Sequence, residues 1–540
     1  MIWFIPFALI FLLVTWKIVR EWTEGQPIKI QWFGYLVAVT FLVRLPTLLY
    51  NRVTNVDEAQ TIAHALTLMR FPVPWKGIDF TTNGPLNAYV FYIPAWLGIR
   101  LDYVVSHGIL LGLLILLVWS LFVTLRNWLG RETAIMGIIP VLLFLAWGQR
   151  NDFVHQASEF WCVVPFSAAL SLFSVLTIHP EKRKWYNWYL IGFLLGVIPY
   201  GKPQGAPPAL MVAGFIFGYI AVTEGRKGFW KAIVPFGLGG LTLTAVFLTA
   251  VVANDALKDF FNLFIYANAR YATLFTYSSG FIPTFIWGWG WFSGVSLVFL
   301  LALMTALLGW IYTKRLSQPE KWGAVLCVAV VYAGAFAVER AGRPFDHYLI
   351  VFLFPGVFLL YGWGVHLMQR VKYRAFVVYS GFVCLTGYLL YTNKMEFDGW
   401  VNQYTVAKPW HFTVSPVSQY VLEWATEPDD CITVYGYYNE IYVETQLPSA
   451  VRLVTVYQHS SIWPALYTPY YLNDLYTRKP VVFVDAIDGP QDFRQELVNR
   501  ENHDLSQVPG LAAFLDEHYA FVKEIDGNRV YVRKDRLAQK

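Results

Sequence analysis

The sequence predicts a mainly α-helical protein, a polytopic transmembrane bundle of about twelve helices followed by a small α/β domain. Three observations predict this fold class. Of the 540 residues, 56% are hydrophobic and only 14% are charged. Apolar runs of membrane-spanning length recur along the chain, and the residues after 392 lose that pattern. One water-soluble core would not bury so much apolar surface, so the bilayer must solvate the excess.

The membrane helices are predicted from run length. A bilayer core of about 30 Å needs roughly 20 apolar residues in a helix, because unpaired backbone groups are costly in hydrocarbon. The opening segment has no preceding basic residue and no small-residue cleavage site after it, so we predict a retained anchor helix there. The predicted spans are 2–19, 31–50, 104–125, 133–148, 160–178, 186–200, 204–222, 230–252, 284–311, 322–338, 346–366 and 375–392.

The loops between these spans alternate between two kinds, which predicts the topology. One kind is short and basic and is expected to face the cytoplasm, namely 17–29, 126–131, 182–184, 226–231, 314–321 and 370–374. The other kind, which includes 51–103, 149–159, 200–205, 253–283 and 339–346, is expected to face outward with the tail. We therefore predict a multi-pass protein of the plasma (inner) membrane with an extracytoplasmic C-terminal domain. The net charge of +5 follows from these loops and does not indicate nucleic-acid binding.

Three regions are predicted: residues 1–30 as anchor helix and cytoplasmic loop, 31–392 as the transmembrane catalytic domain with first outward loop 51–103, and 393–540 as the α/β domain. In the outward loop, two stretches with mixed faces are predicted as surface helices, 59–69 and 86–97. In the tail, β-like runs are predicted at 432–437, 451–456, 481–484 and 529–532, and helices at 417–425 and 511–517.

Two adjacent carboxylates, Asp57 and Glu58, stand just before the surface helix predicted to start near Ala59. At a helix N-terminus a carboxylate is favoured by the helix dipole and can act as a cap, which is the structural interpretation. In the functional interpretation, one carboxylate close to an apolar surface and short of water serves as general base toward a hydroxyl. Both interpretations remain open at this point.

Further polar groups recur in the other predicted outward loops. Any one Lys or Arg at a helix end is expected to extend to the lipid headgroups. Taken together, cations beside acids at one face could hold an anionic phosphate next to a base. The group comprises His155, Glu159, Lys202, Arg270, Arg340, Arg343, Asp346 and His347.

Lys202 is the most specific of these candidates. Gly201, Pro203 and Gly205 interrupt the helix around it, and irregular backbone at membrane depth normally lines a cavity. We expect Lys202→Ala to weaken binding of a phosphate-bearing donor and to leave the fold intact.

Metal binding stays open. Asp57, Glu58, His155 and Glu159 could ligate a divalent ion, but their spacing specifies none, and no other cofactor is predicted. The cysteines, Cys162, Cys327, Cys384 and Cys431, show neither disulfide nor metal spacing.

The order of short motifs resembles the GT-C glycosyltransferases, most of all the bacterial relatives of protein O-mannosyltransferase and the lipid A aminoarabinose transferase. The resemblance covers approximately 31–392, and the tail is similar to the outward domain of many such transferases. Two departures are Thr82-Asn83-Gly84, where the family often has Lys or His before the Pro, and the extra helix at 2–19. The motifs are Asp57-Glu58-Ala59, Asn83–Leu86, Leu97-Gly98, Gly201–Gln204, Arg343–Leu349, Asp429–Ile432, Tyr435–Tyr437 and Glu440–Tyr442.

The resemblance implies a polyprenyl-phosphate-linked sugar donor, an inverting transfer and a catalytic acid in the first outward loop, where Asp57 is the matching position. The expected partners are that donor, an acceptor glycan, lipid or protein, and membrane lipids. We expect Glu58 to support Asp57. Lys202, Arg270, Arg343 and His347 are expected to bind the phosphate, with His155, Glu159 and Arg340 in support.

Two other function classes compete with a transferase. A transporter or lipid flippase would place its ionisable residues near mid-membrane on discontinuous helices, whereas nearly all of those named above lie at predicted outward ends. A non-catalytic scaffold with a partner-binding outward domain would tolerate loss of Asp57.

Overall fold

The structure is a computed structural model that describes residues 2–274, 293–313, 315–341, 345–406, 411–455, 464–489 and 503–539. Its backbone contacts divide the chain into two compact units, each discontinuous in sequence. The helical unit comprises Met1–Tyr50, His107–Val246 and Ala269–Lys408. The α/β unit comprises Asn51–Ser106, Phe247–Asn268 and Pro409–Lys540. The region boundaries predicted from sequence stay a prediction.

The described residues are mainly helical, which confirms the predicted fold class. The longer helices are Ile5–Thr23, Ile30–Leu48, Val56–Arg70, Tyr103–Leu129, Arg131–Trp147, Phe160–Ile178, Trp185–Gly196, Ala206–Ala253, Ala267–Leu274, Val295–Ile311, Gln318–Ala341, Phe358–Met368, Arg374–Thr392, Lys394–Val406, Pro416–Leu422, Pro464–Arg478 and Leu511–His518. Shorter helices are Leu86–Tyr89, Tyr92–Trp96, Asn151–Val154, Ile198–Gly201, Leu257–Asp259, Leu349–Phe352, Glu440–Thr445 and Lys534–Leu537.

Within the described ranges, eight helices are long and apolar enough to cross a bilayer, as expected of a multi-pass membrane protein. The predicted count of about twelve is not confirmed. Some predicted spans correspond to shorter helices, such as Arg131–Trp147 and Trp185–Gly196, and residues 284–292 lie outside the described part. The predicted spans 204–222 and 230–252 share the helix Ala206–Ala253, which is interrupted between them at Gly225, where φ is +66°.

The core of the helical unit lies around the segment Asp346–Met368, whose most apolar window is 100% buried. Close helix approaches depend on glycine. Gly192 and Gly196 stand one turn apart on Trp185–Gly196, and a Cβ on either residue would overlap a backbone carbonyl oxygen, that of Phe236 or Gly240. Small residues at this spacing let two membrane helices pack backbone to backbone.

The α/β unit contains a four-stranded sheet with strand order β1-β2-β4-β3, where β1 is Ile432–Tyr435, β2 is Val482–Asp485, β3 is Tyr519–Ile525 and β4 is Asn528–Arg533. The β1–β2 pair is parallel and the other pairs are antiparallel. Every residue of β1 and β2 is buried, as expected of strands that are covered on both faces of the sheet.

The strands predicted at 432–437, 481–484 and 529–532 are confirmed, as are the helices at 417–425 and 511–517. The strand predicted at 451–456 is wrong over its described residues, 451–455, which form a buried loop. Arg452 holds this loop: it donates to both carboxylate oxygens of Asp474, at 2.7 and 2.8 Å, and to the Trp75 carbonyl at 3.1 Å. The Val and Leu residues of this run are typical of a strand, but the hydrogen bonds of the Arg452 side chain hold the run as a loop.

A buried carboxyl in the α/β unit makes stability depend on pH. Asp79 is 2% exposed, and burial raises its pKa from 3.8 to about 7, against a hydrogen bond from the Thr81 backbone. The folded protein therefore binds this proton more tightly than the unfolded chain does. The stability from the neutral carboxyl is complete below about pH 4 and is lost as the pH rises through about 7.

We expect Asp79→Asn to remove this loss, raising the free energy of unfolding at pH 8 by up to about 4 kcal/mol and leaving it unchanged at pH 4. Thermal unfolding followed by tryptophan fluorescence from pH 4 to pH 8 measures the effect. Asp516→Asn, at an exposed acid of the same unit, is the control. Equal slopes between pH 4 and pH 7 in wild type and Asp79→Asn would contradict the prediction.

Candidate functional site

Asp57 and Glu58 lie in the first turn of the helix Val56–Arg70, so this helix starts before Ala59, where the sequence predicted its start. The N-cap of this helix is Asn55, whose side-chain oxygen accepts a hydrogen bond from the Asp57 N–H at 3.0 Å. Asn55 thus performs the capping role that the structural interpretation gave to a carboxylate. Glu58 is fully buried and accepts a hydrogen bond from the Thr54 hydroxyl at 3.0 Å, whereas Asp57 is half-buried.

In the helical unit, the structure brings Lys202 and Glu159 together. The Lys202 Nζ lies 3.1 Å from the Glu159 Oε1, and the two residues are 3% and 0% exposed. The same ammonium lies 5.2 Å from the centre of the Tyr348 ring, within range of a cation–π interaction. A buried ion pair of this kind is costly to desolvate, so its presence at a helix end marks a candidate functional site.

The turn around Lys202 is positioned by two glycines. The α-helix Ile198–Gly201 ends before it, a short 3-10 helix Pro203–Gly205 follows it, and the next α-helix begins at Ala206. A Cβ on Gly201 would lie 2.7 Å from the Trp161 carbonyl oxygen, and one on Gly205 would lie 2.7 Å from the Cys162 sulfur. Only glycine permits this approach to the helix Phe160–Ile178, and the approach sets Lys202 beside Glu159, the residue preceding that helix.

The loop that contains Glu159 makes two further ion pairs with the start of the central buried segment. The His347 Nδ1 lies 3.4 Å from Asp152 Oδ2, and the Arg150 Nε lies 2.5 Å from Asp346 Oδ2. The His155 ring stands edge-on to that of His347, at 6.1 Å between centres. We call the set Arg150, Asp152, His155, Glu159, Lys202, Asp346 and His347 the ion-pair cluster.

Two carboxyls of this cluster, those of Glu159 and Asp152, have lowered pKa values. Burial raises the pKa of Glu159, but the nearby charges of Lys202 and His347 outweigh it and the net pKa is lowered. Burial likewise raises the pKa of Asp152, yet the imidazoles of His347 and His155 outweigh this effect and hold that pKa well below the usual range. A negative charge on these carboxylates in turn favours the protonated form of the basic side chains beside them, such as Lys202.

Arg44 adds a cation that the sequence analysis did not select. It is 4% exposed in the last turns of Ile30–Leu48 and donates to the Phe153 carbonyl, in the same loop, at 2.8 Å. Its Nε and its other terminal nitrogen have no hydrogen-bond partner among the described residues. The available signal was that Arg44 is the one charged residue in the predicted span 31–50. Arg150, Asp152 and Tyr348 were also missed, although Asp152 stands three residues before His155.

The remaining predicted cations are Arg270, Arg340 and Arg343, and the structure places neither of the two that it describes, Arg270 and Arg340, in the ion-pair cluster. Arg270 is exposed in Ala267–Leu274, where its neighbour Tyr271 places its hydroxyl 3.3 Å from that of Tyr348. Arg340 is exposed, and its guanidinium lies over the Phe336 ring of its own helix. Arg343 lies outside the described residues.

Asp57, Glu58, His155 and Glu159 are the residues that the sequence left open as metal ligands. In the described part of the chain, no group of three or more His, Cys, Asp and Glu side chains is arranged to hold a metal ion.

Neither a protein-family model nor a curated protein matches the sequence. Solved structures match the fold. One is ArnT from Cupriavidus metallidurans bound to undecaprenyl phosphate, with a TM-score of 0.54 and 15% identity, covering 93% of this chain and 98% of that one. Another is the Archaeoglobus fulgidus oligosaccharyltransferase tethered with an acceptor peptide, with a TM-score of 0.50 and 12% identity, covering 94% and 74%. Both neighbours belong to the GT-C superfamily, so the chain has the GT-C fold that the motifs implied.

Proposed function

We propose that this chain, built on the GT-C fold, is a membrane glycosyltransferase that moves a sugar from a polyprenyl-phosphate donor to an acceptor hydroxyl at the outer face, with inversion. The observation that carries the proposal is the buried Lys202–Glu159 pair within the ion-pair cluster, at the ends of membrane helices. Two fold neighbours support it, because one is bound to undecaprenyl phosphate and the other to an acceptor peptide.

The ion-pair cluster supplies the phosphate site in this proposal. Lys202, His347 and Arg44 are buried basic residues, and before the donor arrives Glu159 pairs with Lys202 and Asp152 pairs with His347. As the sugar–phosphate bond breaks, negative charge grows on the leaving phosphate. Fixed cations in a dry site stabilise that charge more than they stabilise the donor ground state, which lowers the barrier. Arg270 and Arg343 remain candidate phosphate ligands, with His155 and Arg340 in support.

Asp57 is the proposed general base. It accepts the proton of the acceptor hydroxyl while the oxygen attacks the anomeric carbon from the face opposite the phosphate. One C–O bond forms as the other breaks, so the configuration inverts and polyprenyl phosphate leaves. The capping by Asn55 fixes the turn that carries Asp57, and the buried Glu58 supports the same turn through Thr54.

A lipid-linked donor explains why such a site would lie at helix ends. The isoprenoid tail stays in hydrocarbon while the phosphate and sugar reach polar loops, so no nucleotide-binding fold is needed. The sugar is a hexose or pentose, and the acceptor is a glycan, a lipid or a protein.

A reconstituted assay tests the function. Purified protein in liposomes receives labelled polyprenyl-phosphate hexoses and pentoses together with acceptors from the cell envelope. We expect release of polyprenyl phosphate and transfer of the label with inverted configuration. A transporter or flippase would instead move the intact donor between leaflets, and that outcome would overturn the proposal.

A further inference from the structure

A cavity lies in the helical unit, away from the ion-pair cluster. Its volume is about 590 Å³, within the range of roughly 300–1,000 Å³ that is usual for small-molecule sites. Most of its lining is apolar, and a few polar side chains contribute to it. The aromatic members of the lining are Trp128, Phe173, Phe215, Tyr219, Trp322 and Trp363.

The cavity and the ion-pair cluster lie at opposite ends of one helix. Glu159 directly precedes Phe160–Ile178, and Thr177, which lines the cavity, stands near the far end. The 18 residue-to-residue steps from Glu159 to Thr177 span about 27 Å at roughly 1.5 Å per step, close to the thickness of a bilayer core. The cavity therefore lies near the membrane leaflet of the short basic loops.

The one acid among the described residues that line this cavity, Glu320, already has its negative charge balanced by a neighbouring arginine. Glu320 accepts hydrogen bonds from the Ser317 N–H at 2.6 Å and from the Arg370 guanidinium at 2.6 Å, and it lies 3.3 Å from the His366 ring. With Ser317 it forms a capping box for the helix Gln318–Ala341. Glu320 thus serves the helix end and leaves no unbalanced negative charge for a cationic ligand.

The charges around the cavity favour an anion instead. Arg126, Arg315 and Lys321 are exposed, and each stands within two residues of a lining residue. The mouth includes Ile178, which is 45% exposed and apolar. An apolar chamber beside solvent-exposed cations matches one amphiphile, a lipid whose tail enters the chamber and whose phosphate stays at the rim.

We propose that this cavity binds an anionic phospholipid from the leaflet of the basic loops, with an acyl chain among the aromatic side chains and the headgroup phosphate beside Lys321 and Arg126. The site is separate from that of the sugar donor, because a bilayer thickness divides the two. Binding stabilises the helical unit by mass action, since the lipid binds the folded chain and not the unfolded one.

Lipid titration tests the site. The full-length protein, stripped of lipid in detergent, is titrated with phosphatidylglycerol or phosphatidylcholine while thermal unfolding is followed. We expect phosphatidylglycerol to raise the unfolding temperature with saturation and phosphatidylcholine to require at least tenfold more lipid. Cys327→Phe fills the cavity and is expected to raise the half-saturating concentration at least tenfold. Cys384→Phe, at an exposed cysteine that does not line the cavity, should change nothing.

A second pair of variants does not depend on cavity filling. Lys321→Gln is expected to weaken phosphatidylglycerol binding at least threefold, whereas Lys372→Gln, at an exposed basic residue of another loop, should leave it unchanged. Equal responses to the two lipids, or an unchanged half-saturating concentration in both Cys327→Phe and Lys321→Gln, would overturn the proposal. So would native mass spectrometry in which Cys327→Phe loses bound undecaprenyl phosphate and keeps phosphatidylglycerol, since the donor's tail would then occupy the cavity.

Discussion

Replacing Asp57 by Asn is expected to lower the rate of sugar transfer by about 10²–10⁴-fold, the usual contribution of a positioned general base. The amide keeps the shape of the side chain but does not accept the hydroxyl proton. Binding of polyprenyl phosphate and the unfolding temperature should change little, because Asn55 caps the helix and its bond to the Asp57 N–H is a backbone interaction. Single-turnover release of labelled polyprenyl phosphate measures the effect.

Asp255→Asn is the matched control. Asp255 is an exposed acid of the same α/β unit with φ of +52°, a conformation that Asn tolerates well. Its transfer rate should equal that of the wild type. If Asp57→Asn and Asp255→Asn release polyprenyl phosphate equally fast, Asp57 is not the base.

Replacing Lys202 by Met is expected to have the largest effect on stability, because it leaves the Glu159 carboxylate buried without its counter-ion. Breaking a buried pair on one side costs about 3–5 kcal/mol. This differs from the sequence-based expectation that Lys202→Ala leaves the fold intact, and the 3.1 Å contact with Glu159 is the reason. The double variant Lys202→Met with Glu159→Met removes both charges and should recover most of the lost free energy of unfolding.

The double variant separates structure from function. It should unfold near the wild-type midpoint and yet bind undecaprenyl phosphate at least tenfold more weakly, because the cation is gone. Glu159→Met alone reports the loss of the acid and should destabilise as strongly as Lys202→Met. A double variant with wild-type affinity for undecaprenyl phosphate would remove Lys202 from the phosphate site.

Some features followed from the sequence because their cause is local or compositional. Apolar run length predicted the membrane-spanning helices, since a backbone in hydrocarbon must pair its polar groups within one segment. The two acids were predicted at the start of a helix, and they lie in its first turn. The interruption around Gly201, Pro203 and Gly205 singled out Lys202, because proline lacks a backbone N–H and interrupts a helix through its local geometry.

Other features depend on contacts between distant segments. Asp152 pairs with His347, which lies almost 200 residues later in the chain. Arg44 donates to the carbonyl of Phe153, which lies more than 100 residues later. Strand β3 and the helix Pro464–Arg478 were missed. The run 451–455 imitated a strand, yet the Arg452–Asp474 bond decided its conformation.

The sequence by itself determined the helical class, the membrane character and the candidate residues at predicted outward ends, because hydropathy and helix breaking act over a few neighbouring residues. Only the tertiary structure decided which of those residues meet. It paired Lys202 with Glu159 and His347 with Asp152, left Arg340 on its own helix, and gave the cap beside Asp57 to Asn55. Ion pairs and burial arise from packing between segments far apart in the chain, and residue spacing along one chain does not encode those distances.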